Sequence, residues 1–183
     1  LLECMMSFCE SGWDCNSRFG MRAHEYNPID LNSLLYGMEV NIAYFAQELG
    51  DAGGIEFLEN ARKRQQMLDT LCWNDTLGFY CDYDFVNKTQ NNFLSVATFY
   101  PLFVKSATAR QAETIVQSLP KLENTYGIAC CENRDDLMDL QWDYPHGWAC
   151  LHYIVIKGLQ NYGYMDDALR IAEKYCSVVE KNF

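Results

Sequence analysis

Leu31, Leu34, Leu35, Met38, Ile42, Phe45, Ala46 and Leu49 recur at steps of three and four, the spacing of one apolar helix face. Asp30 stands where it can cap the start of that helix, and Gly50 where it can end it. A second helix is predicted over 55–71, with Leu58, Ala61, Leu68 and Leu71 in phase. At "WNDTLGFYCDYDF", residues 73–85, the rhythm breaks into a turn at Asn74-Asp75 and a short aromatic extended segment. "FLSVATFYPLFV", residues 93–104, reads as a buried helix that Pro101 bends or ends early. Thr108 opens the next helix, which carries Ala112, Ile115, Val116 and Leu119 and stops at Pro120. "YGIACCENRDDL", residues 126–137, reads as short strands and turns. The last two helices span 147–162, ended by Gly163, and Asp166 onward, with Ala168, Leu169, Ala172, Tyr175, Val178 and Val179 in phase.

The helices fall into pairs. There are three pairs, and within each the first member, as in "WACLHYIVIKGL", is apolar almost all round and the second is amphipathic. A helix without a polar face must be buried, and its amphipathic neighbour shields it. Repeated inner-plus-outer pairs predict an all-α toroid of helical hairpins, here about three of them, with too little similarity between pairs for a formal repeat. In such a toroid the loops leading into the inner helices gather on one rim. "ESGWDCNSRF" (residues 10–19) and "QWDYPHGW" (residues 141–148) both lie in such loops.

Composition narrows the possible partners. A formal charge of −11 over 183 residues, with scattered Lys and Arg, excludes the basic stripe of a nucleic-acid binder. No apolar run reaches the ~18 residues of a membrane span. Nine cysteines with no CxxC spacing read as free buried thiols in a reducing compartment, the cytoplasm. Asn74-Asp75-Thr76 and Asn87-Lys88-Thr89 are short enough to be chance matches to a glycosylation triplet. The start lacks Met and a basic leader, and the end runs out inside a helical pattern, so both termini are expected to be cuts in a longer chain.

His146 and His152 are six apart, not metal spacing, and His152 falls on a buried helix as an expected core residue. No phosphate loop or nucleophile elbow is present, so no cofactor is implied. A terpenoid-cyclase type of toroid would need Asp-rich diphosphate clusters, for which Arg134-Asp135-Asp136 is a poor candidate. A rim bearing Trp13, Asp14, Arg18, Gln141, Trp142, Asp143, His146 and Trp148 instead suits a sugar, whose hydroxyls take polar partners and whose ring face takes an indole.

"ESGWDCNSRF" resembles the Glu-Ser-Gly-Trp-Asp segment of the trehalase family and its six-hairpin (α/α) barrel relatives, and "QWDYPHGW" resembles that family's second signature. "IDLNSLLY" and "FYPLF" have family counterparts between them, in the same order. The resemblance implies that residues 1–183 are the C-terminal half of a single (α/α)6 catalytic domain. It implies an inverting hydrolase of an α-glycosidic bond in a small saccharide, with no nucleic acid, membrane or cofactor involved and oligomeric state left open. Asp14 is then the general acid, facing a general base roughly 6.5–9.5 Å away across room for a water. An acid that holds its proton near neutrality needs burial, which Trp13 could supply. Gly12, Trp13, Arg18, Asn32, Gln141, Trp142, Asp143, His146 and Trp148 become the candidate substrate-binding residues.

Several of these also have a plain structural reading: a turn brace for Asp14, an ion-pair partner of Glu10 or Asp14 for Arg18, a wedge into the core for Trp142 or Trp148, a helix cap for Asn32. Gln141 and Asp143, polar loop residues beside two Trp, are harder to explain that way. His146 and Cys150 depart from the Asn and Pro more usual in the signature, which opens the substrate to other α-glucosides or mannosylglycerate-type molecules. The family's base is a Glu in a Glu-Lys-Tyr motif. Glu173-Lys174-Tyr175 copies those letters, but in the middle of an amphipathic helix, and is read as a decoy with the base expected beyond Phe183. A chain without the base leaves a second expectation, a sugar-binding module of the same fold.

Overall fold

A computed structural model of the chain describes residues 2–182. Its helices are α1 (Leu2–Ser11), α2 (Ile29–Glu48), α3 (Gly54–Met67), α4 (Tyr100–Phe103), α5 (Ala109–Gln117), α6 (Ala149–Asn161) and α7 (Met165–Asn182). Seven two-residue strands join them: β1 (Tyr26–Asn27), β2 (Trp73–Asn74), β3 (Phe79–Tyr80), β4 (Tyr83–Asp84), β5 (Thr89–Gln90), β6 (Glu123–Asn124) and β7 (Gly127–Ile128). They form a three-stranded antiparallel sheet in the order β1-β4-β5 and two hairpins, β2-β3 and β6-β7.

The paired-helix reading holds for the first and last pairs, while α5 lies against β3 and not over α4. The inner helices α2, α4 and α6 stand side by side, α3 covers α2, and α7 covers α6. Phe99, Leu102, Ile115, Leu151, Val155 and Leu159 form the centre of the core, each at most 1% exposed. Gly158 permits a close crossing of α6 over α4. A Cβ there would meet Leu102 Cβ at 3.1 Å and the Phe99 carbonyl at 3.3 Å. Thr108 opens α5 as expected, through a capping box in which it accepts from the Gln111 amide and Gln111 Oε1 accepts from the Thr108 amide.

Several local expectations are corrected. Residues 93–104 are not one helix: Leu94 and Ser95 are extended and bonded to the 130–132 segment, with Val96 N donating to Cys130 O at 2.9 Å. Only Val96–Phe99, as a 3-10 turn, and α4 are helical. Pro101 neither bends nor ends this unit. It sits in the first turn of α4, where a missing N–H leaves nothing unsatisfied. Residues 68–72 close α3 as a π-turn. Asp30 does not cap α2; Pro28 holds that place without a side-chain bond, and Asp30 turns to a guanidinium, a stronger donor than a neutral amide. On α7 the buried positions are Ala168 and Ile171, while Leu169 is exposed. Helix α1 had no counterpart in the sequence reading.

The predicted apolar face of α2 is real but uncovered. Leu31, Leu34, Met38, Ile42 and Phe45 are all exposed, and the buried residues of this helix are Ile29, Asp30 and Ser33.

Candidate active site

Helix α1 ends at Ser11, and Gly12 reverses the chain at φ +74°. Ser11 Oγ accepts from the Trp13 amide at 3.1 Å. Asn16, itself buried, ties the loop to itself: its Nδ2 donates to Trp13 O at 2.6 Å and its Oδ1 accepts from the Arg18 amide at 3.0 Å. The loop therefore folds on itself with Trp13 inward, 4% exposed, and carries Asp14 outward. The Asp14 carboxylate is exposed and makes no hydrogen bond or ion pair to the described residues. The burial expected around it is not supplied by this chain, because the indole of Trp13 faces inward, away from the loop's tip.

What Trp13 faces is a built stack. The Arg18 guanidinium lies 5.0 Å from its ring centre on one side and Trp142 lies 5.4 Å away on another. Trp142 in turn stacks on Trp148 at 4.9 Å and 16°. The two signature segments, 126 residues apart in sequence at Ser17 and Asp143, are also sewn together by polar bonds. Asp143 accepts from the Ser17 amide at 2.7 Å, the Ser17 hydroxyl at 2.5 Å and the Leu140 amide at 3.0 Å. Trp142 N donates to Cys15 O at 3.0 Å.

This arrangement sorts the candidates. Gly12, Trp13, Asp14, Gln141, Trp142, His146 and Trp148 share the rim; Gln141 and His146 are exposed there. Asp143 does not face a ligand: it is fully buried, and its oxygens are taken up by three donors. Arg18 is 3% exposed and lines only a small cleft beside Trp13; its donors are committed, with Asp30 accepting two of its N–H groups at 3.0 Å each and Asp82 accepting from Nε at 2.6 Å and from Nη2. Asn32 lies elsewhere. It donates to Pro28 O at 2.9 Å and accepts from Arg64 at 3.1 Å, in the cavity between α2 and α3. Geometry alone gives each of these three a structural task.

Asp30, Asp82, Ser17 and Tyr100 hold the site together, and the sequence reading gave none of them a role there. The signal for Asp82 was a carboxylate set between aromatics in an extended run, "FYCDYDF", where burial forces pairing. Tyr100, Trp13, Arg18, Asp30, Leu34 and Glu10 line a cleft of about 100 Å³ at the start of α2. Burial pushes the Tyr100 hydroxyl well above its ordinary pKa, keeping it a neutral donor.

His152 is the core residue the sequence suggested. Its Nε2 accepts from the Ile128 amide at 2.8 Å and its Nδ1 donates to Trp148 O at 2.8 Å, so it bolts β7 to the start of α6 just below the rim. Desolvation lowers its pKa from 6.5. Glu173 is exposed midway along α7, Lys174 donates to Glu123 at 2.6 Å, and Tyr175 packs on His152 with ring centres 4.2 Å apart. Arg134 is committed to Asp136 at 2.7 Å and Glu132 at 3.3 Å, an ion-pair network on the surface. Eight described cysteines are unpaired: Cys72, Cys81, Cys130 and Cys131 are buried, and Cys9, Cys15, Cys150 and Cys176 are exposed, so burial of the thiols is only half as general as expected.

Inner helices backed by outer ones, with aromatic signature loops joined on one rim, define the (α/α) six-hairpin class of glycosidase folds. The family description that matches residues 6–183 is Trehalase, and the chain belongs to that family. It is 34% identical over 191 residues to the cytosolic neutral trehalase of Kluyveromyces lactis, covering 95% of this chain and 25% of that protein. It is 34% identical to a periplasmic trehalase of Xanthomonas campestris, covering 95% of this chain and 32% of that one. The solved structure of neutral trehalase Nth1 from Saccharomyces cerevisiae superposes with a TM-score of 0.84 at 32% identity, over 95% of this chain and 36% of that chain. The chain thus spans a quarter to a third of the length of the curated relatives it matches. Among the described residues, no helix is long and apolar enough to cross a membrane.

Proposed function

We propose that this chain is the acid-bearing part of an inverting trehalase, with Asp14 protonating the glycosidic oxygen as the bond breaks. The observation that carries the reading is the junction of the two signature loops. The tilted Trp13–Trp142 contact, the Trp142–Trp148 stack and the Ser17–Asp143 bonds join the two loops into one rim and leave Asp14 as its free carboxylate. The half-buried indoles of Trp142 and Trp148 give a sugar an apolar face, and Gln141 and His146 offer exposed hydrogen-bonding groups beside them. The general base belongs to a Glu outside residues 1–183, because Glu173 points to solvent midway along α7, away from the rim. The remaining hairpins of the barrel enclose Asp14 and supply its burial. The protein works in the cytoplasm, a placement favoured by eight unpaired cysteines and shared with some of its relatives.

The test is hydrolysis of trehalose and a panel of α-glucosides by the full-length protein, with the anomers followed by NMR. Inversion releases one β-glucose and one α-glucose per trehalose, whereas retention releases two α. Asp14→Asn is expected to lower kcat by about 10²–10⁴-fold, the usual worth of a positioned acid. An unchanged rate in that variant removes Asp14 from the role. Sugar binding without hydrolysis of any substrate favours the binding-module reading.

A further inference from the structure

Asp82 is 2% exposed and sits where three stretches of chain meet. Its carboxylate accepts from Arg18 Nε and Nη2 in the acid loop, from the Ile29 amide at 3.0 Å at the start of α2, and from Asn91 Nδ2 at 3.2 Å after β5. Asn91 closes the knot by donating from the same Nδ2 to Arg18 O at 3.2 Å. Asp30 grips the far edge of the same guanidinium. A planar fork held by two carboxylates cannot rotate, so its plane is fixed. That fixed cation lies 5.0 Å from the Trp13 ring centre and 4.7 Å from Phe19, on either side of the loop.

We propose that Asp82 is a positioning residue for the acid: by fixing Arg18 beneath Trp13, it sets where the next residue, Asp14, stands on the rim. This inference rests on the acid role given to Asp14 above. The physical case is one of asymmetry. Trp13 packs between Arg18 and Trp142, but Asp14 has no bond of its own to hold it. Its place is inherited from its neighbour. Asp30 alone leaves Arg18 paired and the local charge balanced, so losing Asp82 frees the fork to pivot without leaving a buried charge uncompensated.

The experiment uses full-length protein carrying Asp82→Asn, which keeps an oxygen for the Ile29 amide, with Asp14→Asn and Arg18→Lys beside it. Each is assayed on trehalose and on α-glucosyl fluoride, whose fluoride leaves without needing a proton from an acid. Displacing an acid by about an ångström costs roughly a hundredfold. Asp82→Asn is therefore expected to lose kcat on trehalose by about that factor, and on the fluoride by less than about threefold, with KM for either little changed. Equal losses on both substrates make Asp82 merely structural and overturn the proposal, as does no loss on either. If Asp82→Asn does not fold, Arg18→Lys gives the same reading, since a lone ammonium cannot span both carboxylates and lie flat beneath the indole. Asp14→Asn separates the two ideas: without a trehalose-selective loss there, the acid reading fails and this one with it. With that loss present there and absent in Asp82→Asn, only the positioning role falls.

Discussion

His152 and Asp30 mark what single residues disclosed and what they withheld. His152 was legible because an imidazole on an all-apolar helix has to be satisfied internally, and it is, by Ile128 and Trp148. Asp30 was misread because a carboxylate before a helix looks like a cap, while its actual partner, Arg18, is chosen by tertiary structure. The same holds for Arg18 and Asp143, which carry family motif letters yet spend their bonds inside the protein. His152 also sets an acid limit. Its folded pKa lies below the unfolded value of 6.5, so the unfolded chain binds the proton first as pH falls. Stability due to this group is complete above about pH 6.5 and is lost as pH drops below it toward the folded pKa. Thermal melting of the full-length protein between about pH 8 and 5 is expected to show that loss, and His152→Gln, which stays neutral, to reduce it.

Elements whose limits are written in local chemistry were read well. Thr108 announces the start of α5, whose end at Gln117 comes before the expected stop, since Leu119 and Pro120 belong to a separate 3-10 turn. Gln111 also donates to Asp69 at 3.0 Å, tying α5 to the π-turn that closes α3. Thr108→Ala is expected to cost about 1 kcal/mol in chemical denaturation, and Thr108→Ser to restore most of it. The 93–104 segment failed for a reason periodicity cannot carry. Its apolar letters suit a helix or a buried strand equally, and the partner that makes Leu94 and Ser95 extended lies at 130–132. The apolar face of α2 shows the converse: spacing says which side of a helix is greasy, but not whether its cover lies within these residues.

For the whole molecule, the toroid of inner and outer helices was legible because burial imposes apolar character all round α6 and one-sided character on α7. That the two signature loops share a rim followed from the topology; that they are bonded to each other did not. Asp143 makes the seam. Replacing it by alanine leaves the Ser17 and Leu140 donors unpaired in a buried place, with an expected loss of roughly 2–4 kcal/mol in equilibrium unfolding. The same variant is expected to lose hydrolysis at temperatures where circular dichroism still reports a folded protein.

The seam has a consequence in time. Ser17 and Asp143 meet only after the 126-residue stretch between them has closed, and contacts between distant parts of a chain form late. During synthesis the 10–19 loop emerges before its partner and waits for it through the making of α2, α3, α4 and α5. Helix α6, whose Leu151, Val155 and Leu159 lie at the centre of the core, is made only after Asp143, so the core and the rim are completed together. An interruption of synthesis shortly before Asp143 would therefore release a chain that lacks the seam and the centre of its core alike.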